Sequence, residues 1–165
     1  DPYLIERKGL YLSTISSIGD KLTVYTNSNL QDVSYTEGPN KNQSLPLAPR
    51  FIVNARLNYK VDENWSLGTV INHVGNQYYS GYTDYYNNGS DFPNRIPSYS
   101  TADVYLNYKT QKWDARITIK NLANTHYSTF GGIGWPEVTP TIFLNSYYYY
   151  PSDPRSVFAS VSYNF

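Results

Sequence analysis

The chain has 165 residues, 13 Lys plus Arg against 13 Asp plus Glu, and a formal net charge of zero. That balance leaves none of the basic footprint that nucleic-acid binding requires, so no nucleic-acid partner is expected. Cys is absent, which removes disulfides, thiolate chemistry and Cys-based zinc sites. No long apolar run is present, but barrel strands alternate lipid-facing and lumen-facing residues, so a negative mean hydropathy of −0.54 is compatible with a membrane wall. The opening Asp1-Pro2-Tyr3, without signal peptide or initiator Met, reads as part of a longer protein.

In chain order, weaker strands are expected near residues 9–17 and 21–35, then a clear one over Phe51 to Val61. There Phe51, Val53, Ala55, Leu57, Tyr59 and Val61 alternate with Asn54, Arg56, Asn58 and Lys60. A further weak strand covers residues 65–82. Over residues 102–108, Ala102, Val104, Leu106 and Tyr108 oppose Asp103, Tyr105 and Asn107; over 113–120, Trp113, Ala115, Ile117 and Ile119 oppose Asp114, Arg116, Thr118 and Lys120. The last strand sets Val157, Ala159, Val161, Tyr163 and Phe165 against Ser156, Phe158, Ser160, Ser162 and Asn164. Period-two alternation of this kind specifies strands with one apolar and one polar face, and the count is seven.

Tight turns at residues 18–20, 62–64 and 110–112 alternate with long connections at 36–49, 83–98 and 128–154. Transmembrane barrels have this asymmetry, with short periplasmic turns and longer extracellular loops. Tyr59, Trp65, Tyr108, Trp113, Tyr163 and Phe165 gather at the short-turn ends of the apolar faces, as an interfacial aromatic girdle does. A soluble antiparallel sandwich also alternates, but it has no reason to sort its loops by length.

Several short segments resemble one family. Asn121-Leu122-Ala123-Asn124-Thr125-His126-Tyr127 is similar to the Asn-Leu-x-Asp-x-x-Tyr signature near the end of TonB-dependent receptors, with Asn124 in place of Asp. Pro151-Ser152-Asp153-Pro154-Arg155 resembles that family's Pro-Gly-x-Pro-Arg entry to the last strand, with Ser152 for Gly. Pro97-Ser98-Tyr99-Ser100-Thr101-Ala102-Asp103 resembles its Pro-x-Tyr-x-x-x-Asp strand entry. Ala48-Pro49-Arg50, Trp65-Ser66-Leu67-Gly68 and Val74-Gly75-Asn76-Gln77-Tyr78 fall in matching order, so the resemblance spans residues 48–165.

The resemblance implies an antiparallel transmembrane β-barrel of the ~22-stranded, plugged-lumen type, of which this chain is the C-terminal portion. The N-terminal plug domain and the TonB-contacting box lie outside this chain. It implies an outer-membrane receptor of a Gram-negative bacterium, embedded in outer-membrane lipid and driven by the TonB system, importing a scarce nutrient. A ferric siderophore is the expected cargo because it is common in the family; heme, cobalamin and oligosaccharide stay open. The terminal Tyr163-Asn164-Phe165 is similar to the aromatic-x-Phe end that the barrel-assembly machinery reads, which makes Tyr163 and Phe165 the assembly signal. The rivals are a passive porin-like barrel and a soluble carbohydrate-binding β-sandwich.

No catalytic constellation emerges, so an enzyme is not expected, nor is a resident cofactor or metal. His73 and His126 lie in different segments without ligand spacing. Gly131-Gly132-Ile133-Gly134 lacks the strand–helix frame of a phosphate loop and reads as flexible loop. The binding candidates are the aromatic connections: Tyr85, Tyr86 and Arg95 in one, and Trp135, Tyr147, Tyr148, Tyr149 and Tyr150 in the other. Such side chains can stack on catecholate rings or sugars, or can pack their own loops. Arg95 or Arg155 could attract an anionic chelate. Arg56, Lys60, Asp103, Asp114, Arg116 and Lys120 are expected to face the lumen, paired with one another or touching the plug.

Overall fold

The computed structural model describes residues 4–38, 40–78, 95–134, 137–139, 142–143 and 146–165. Its strands are β1 Ile5–Ile18, β2 Leu22–Tyr35, β3 Phe51–Lys60, β4 Trp65–Val74, β5 Gln77–Tyr78, β6 Arg95–Ile96, β7 Tyr99–Lys109, β8 Trp113–Lys120, β9 Ser128–Gly134, β10 Glu137–Thr139, β11 Ile142–Phe143, β12 Ser146–Pro151 and β13 Ser156–Tyr163. Seven of them form one antiparallel sheet in the order β1-β2-β3-β4-β7-β8-β13, each long strand beside its sequence neighbour. β5 pairs with β6, β9 with β12, and β10 with β11.

The register keeps one parity across the whole sheet. Val24 lies opposite Leu57, Leu57 opposite Thr69, Thr69 opposite Val104, Val104 opposite Ile119, and Ile119 opposite Val157. The intervening residues put Thr23, Asn58, Gly68, Tyr105, Thr118 and Phe158 in one row on the other side. A slip of one residue in any pair would turn that strand's apolar set over, so the agreement of all five pairings fixes two faces of opposite character. The apolar face is bare. Leu10, Leu67, Ile71, Ile117, Val157 and Val161 are all exposed, and the buried hydrophobics among the described residues are Val33, Ile96 and Tyr105. A sandwich would cover this face with a second sheet.

The short turns are held by local side chains. Gly19 takes φ +58° between β1 and β2, a conformation that glycine adopts at little cost. Asp62 Oδ1 accepts from the backbone N–H groups of Asn64 and Trp65, both at 2.8 Å, and Thr110 Oγ1 accepts from Trp113 N–H at 2.9 Å. These are Asx- and Ser/Thr-type turns that leave few orphan donors. Beside them lies the expected girdle. Trp65 and Tyr108 are 4.7 Å apart, Trp113 and Tyr163 4.8 Å, and Tyr163 and Phe165 meet edge to face at 5.1 Å.

Two expectations need correction. The strand expected over 65–82 breaks after Val74; Gly75 N–H bonds Phe51 C=O at 2.7 Å, and β5 resumes only at Gln77. The segment 128–154 is not a loop throughout. β9 and β12 make an antiparallel arm, and Gly131 and Gly132 sit within it opposite Tyr149 and Tyr148, so these glycines are strand positions rather than flexible loop. Glycine there leaves the cross-strand space to an aromatic, which composition alone reads as looseness.

Candidate functional site

The polar face is knitted by its own side chains. Tyr105 reaches across Gly68 and donates its hydroxyl to Asn58 Oδ1; a Cβ on residue 68 would collide with the hydroxyl end of the Tyr105 side chain. The Arg116 guanidinium lies 4.1 Å over the same ring, and Arg116 Nε donates to Thr118 Oγ1 at 3.2 Å. Lys120 Nζ sits 5.1 Å over Phe158, Asn107 Nδ2 donates to Ser66 Oγ at 3.2 Å, and Lys109 is 3.8 Å from Asp114. Arg116 and Lys120 therefore rest on aromatic rings, and Asp114 lies beside Lys109, a residue outside the set of charges expected to pair with one another.

At the end of this face opposite the short turns, the motif residues form a knot. Asn121 is 4% exposed and has φ +49°. Its N–H donates to Asp103 Oδ1 at 2.9 Å, its Oδ1 accepts from Thr125 N–H at 2.9 Å, and its Nδ2 donates to the carbonyls of Thr125 and Asp153 at 2.9 and 3.3 Å. Asn124, also left-handed at φ +52°, accepts Arg155 N–H on Oδ1 at 2.9 Å. Asn tolerates this backbone region better than most residues, and its short amide serves the freed backbone groups. Asp103 comes from β7, Asn121 and Asn124 follow β8, and Asp153 and Arg155 precede β13, so three strands are tied at one point.

Above the knot, Tyr99 and Tyr127 stack at 4.3 Å with planes 27° apart. With Pro97, His126, Tyr149 and Pro151 they line an open cleft of 420 Å³, and none of its lining residues is a Lys, Arg, Asp or Glu. Tyr99 shares the polar side of the sheet with Val74, Thr101, Asp103 and Tyr105. A neutral aromatic wall of this kind suits stacking and desolvation of a ring better than pairing with a bare anion.

The expected binding residues divide. Tyr149 lines the cleft. Tyr148 and Tyr150 meet at 5.8 Å, edge to face, and Tyr150 lies 5.5 Å from Phe130, which puts these three on the opposite side of the β9–β12 arm. Tyr147 is placed in β12 opposite Ile133. Arg95 donates from Nη2 to Tyr78 OH at 2.6 Å and covers that ring at 4.6 Å, away from the tyrosine cleft. Arg95 instead lines a smaller 140 Å³ pocket with Asp32, Arg50 and Gln77. Tyr85, Tyr86 and Trp135 lie outside the described residues. Of two buried amides, Gln31 carried no signal in the sequence and Gln77 was visible only as a letter of a matching segment. Gln31 donates to Pro49 C=O at 2.9 Å and Gln77 to Thr129 C=O at 3.1 Å, each joining a strand end to a distant segment. His73 Nδ1 is 2.9 Å from Ser100 Oγ. Among the described residues no cluster of three metal-ligating side chains occurs.

An open antiparallel wall with one bare apolar face, one polar face and an aromatic girdle defines part of a transmembrane β-barrel. The TonB dependent receptor-like β-barrel family matches residues 9–122, and the chain belongs to that family. Its members are transport receptors rather than enzymes. Among solved structures, the ferric yersiniabactin uptake receptor FyuA from Yersinia pestis is similar over 99% of this chain and 24% of its own, at 18% identity and a TM-score of 0.73. The ferric citrate transporter FecA matches 99% of this chain and 25% of its own, at 16% identity and a TM-score of 0.74. The ferripyoverdine receptor of the outer membrane of Pseudomonas aeruginosa matches 98% and 20%, at 16% identity and a TM-score of 0.67. The chain thus spans a quarter or less of each of these structures. No curated protein sequence matches it.

Proposed function

We propose that this chain is the C-terminal part of an outer-membrane receptor that binds a ferric siderophore at the cell surface and imports it with energy delivered through TonB. The plug domain and the TonB contact belong to the rest of the protein. The observation that carries the reading is the aromatic cleft of Tyr99, Tyr127 and Tyr149 at the outer end of the polar face. It lies inside the wall, on the side a cargo must pass, and at the end remote from the periplasmic turns. The solved structures similar to this chain include receptors for ferric yersiniabactin and ferripyoverdine, which supports iron chelates as the cargo class.

Binding here needs no bond made or broken. Stacked tyrosines offer large stiff contact area with little side-chain entropy to lose, and their hydroxyls remain available to polar edges of the cargo. Import then requires work from outside this chain. The test is uptake of radiolabelled iron by iron-starved cells expressing the full receptor, with iron presented as a ferric siderophore. Uptake abolished by a proton uncoupler or by loss of TonB is expected. Uptake that persists in both conditions would identify a passive pore.

A further inference from the structure

We infer that Phe130, Tyr148 and Tyr150 are a membrane-contact patch, seated in the headgroup zone of the outer leaflet, and that they take no part in cargo capture. The inference rests on the outer-membrane setting proposed above. Four consecutive tyrosines invite reading as one binding surface, but β12 is a strand, and strand neighbours point to opposite sides. Tyr149 lines the cleft beside Tyr99, on the polar side. Tyr150, in ring contact with both Tyr148 and Phe130, lies with them on the other side of the arm, away from the cleft and from the polar side that Tyr99 shares. Tyr148 and Tyr150 are 41% and 59% exposed there.

Height above the periplasmic girdle supports the placement. Thirteen residues separate Tyr150 from Tyr163, at most about 43 Å of extended chain. At the usual strand tilt of about 45° this gives at most about 30 Å, just beyond an apolar band about 25 Å tall. The first hairpin marks the same level independently. Its apolar face is aliphatic near both ends, at Ile18 and Leu22 and again at Leu10 and Leu30, and turns charged at the Lys8–Asp32 pair. Ten residues separate Lys8 from Ile18, or about 23 Å of height on the same geometry. Tyr150 therefore lies no more than about 5 Å beyond the aliphatic band. An amphipathic ring suits that boundary, with its body towards acyl chains and its hydroxyl among polar headgroups.

The experiment is site-directed spin labelling of the full receptor in lipopolysaccharide–phospholipid vesicles, with any native cysteines replaced. Labels are placed one at a time through Tyr148→Cys, Tyr149→Cys, Tyr150→Cys and Val161→Cys. Collision with lipid-soluble oxygen is compared with collision with a water-soluble nickel chelate. The oxygen-to-nickel ratio at 148 and 150 is expected to exceed that at 149 several-fold, with 161 highest of all. Should Tyr150→Cys fail to assemble, Phe130→Cys reads the same face. Equal, water-like ratios at 148, 149 and 150 beside a lipid-like 161 would overturn the inference and leave the transporter reading standing. A water-like 161 would instead overturn the membrane setting itself.

Discussion

Asn121 carries more hydrogen bonds than any residue around it and does so with a left-handed backbone. Asn121→Ala would strand the Thr125 N–H and two carbonyls, and each buried polar group left without a partner costs about 1–3 kcal/mol. We expect a receptor that assembles poorly, seen as a lower urea midpoint of the full barrel in bilayers; a midpoint equal to wild type would show that water replaces the amide. Gly68 belongs to a second kind of constraint. Gly68→Ala should cost about 1–3 kcal/mol, as overpacking does, because the new methyl meets the Tyr105 ring. Tyr105→Ala in the same protein should recover most of the loss from Gly68→Ala, and strictly additive stabilities would contradict the contact. The family motifs made Asn121, Asp103 and Gly68 visible as sequence positions. The reasons for them were not visible, since the bonds from Asn121 to Asp153 and from Tyr105 to Asn58 span 32 and 47 residues.

Among the elements, β3, β7, β8 and β13 were legible because period-two alternation is a local signal that needs no partner strand. β9 and β12 were not. Their sequences are glycine-rich and uniformly aromatic, so neither shows an apolar–polar rhythm, and only pairing across the arm reveals them as strands. The consequence is functional, because alternation in β12 separates residues that composition groups together. Tyr149→Ala in the full receptor should weaken binding of the cognate ferric siderophore at least about tenfold, the equivalent of roughly 1.4 kcal/mol. Tyr150→Ala should leave affinity within about twofold, a change of only some tenths of a kcal/mol. Equilibrium binding to whole cells at matched surface levels checks both, and the reverse ranking would place capture on the outward side of the arm. Tyr99 and Tyr127 were read only as motif letters; their stacking, and the cleft they make with Tyr149, depends on the knot that brings β7 and β9 together.

As a whole the chain is a wall without an interior. Among the described residues, β1 and β13 end the sheet with unpaired edges, and the apolar face has no cover. Expressed without the rest of the barrel, the 165-residue chain should aggregate or fail to melt cooperatively, because exposed edges template further pairing and the lipid-facing surface has no water-compatible state. A soluble monomer with a sharp thermal transition would favour the sandwich alternative. The central claim is the opposition of the two faces, since the membrane setting, the cleft and the outward aromatic patch all depend on it. Folding stability of the full receptor in bilayers, compared between Val161→Arg and Ser160→Arg, tests it most directly. These neighbours in β13 lie opposite Ala115 and Arg116, at the same depth on opposite sides. Val161→Arg is expected to cost about 2–4 kcal/mol, the range for a charge at mid-membrane on the lipid side, and Ser160→Arg much less. Equal losses at the two positions, or a greater loss at Ser160, would contradict the assignment.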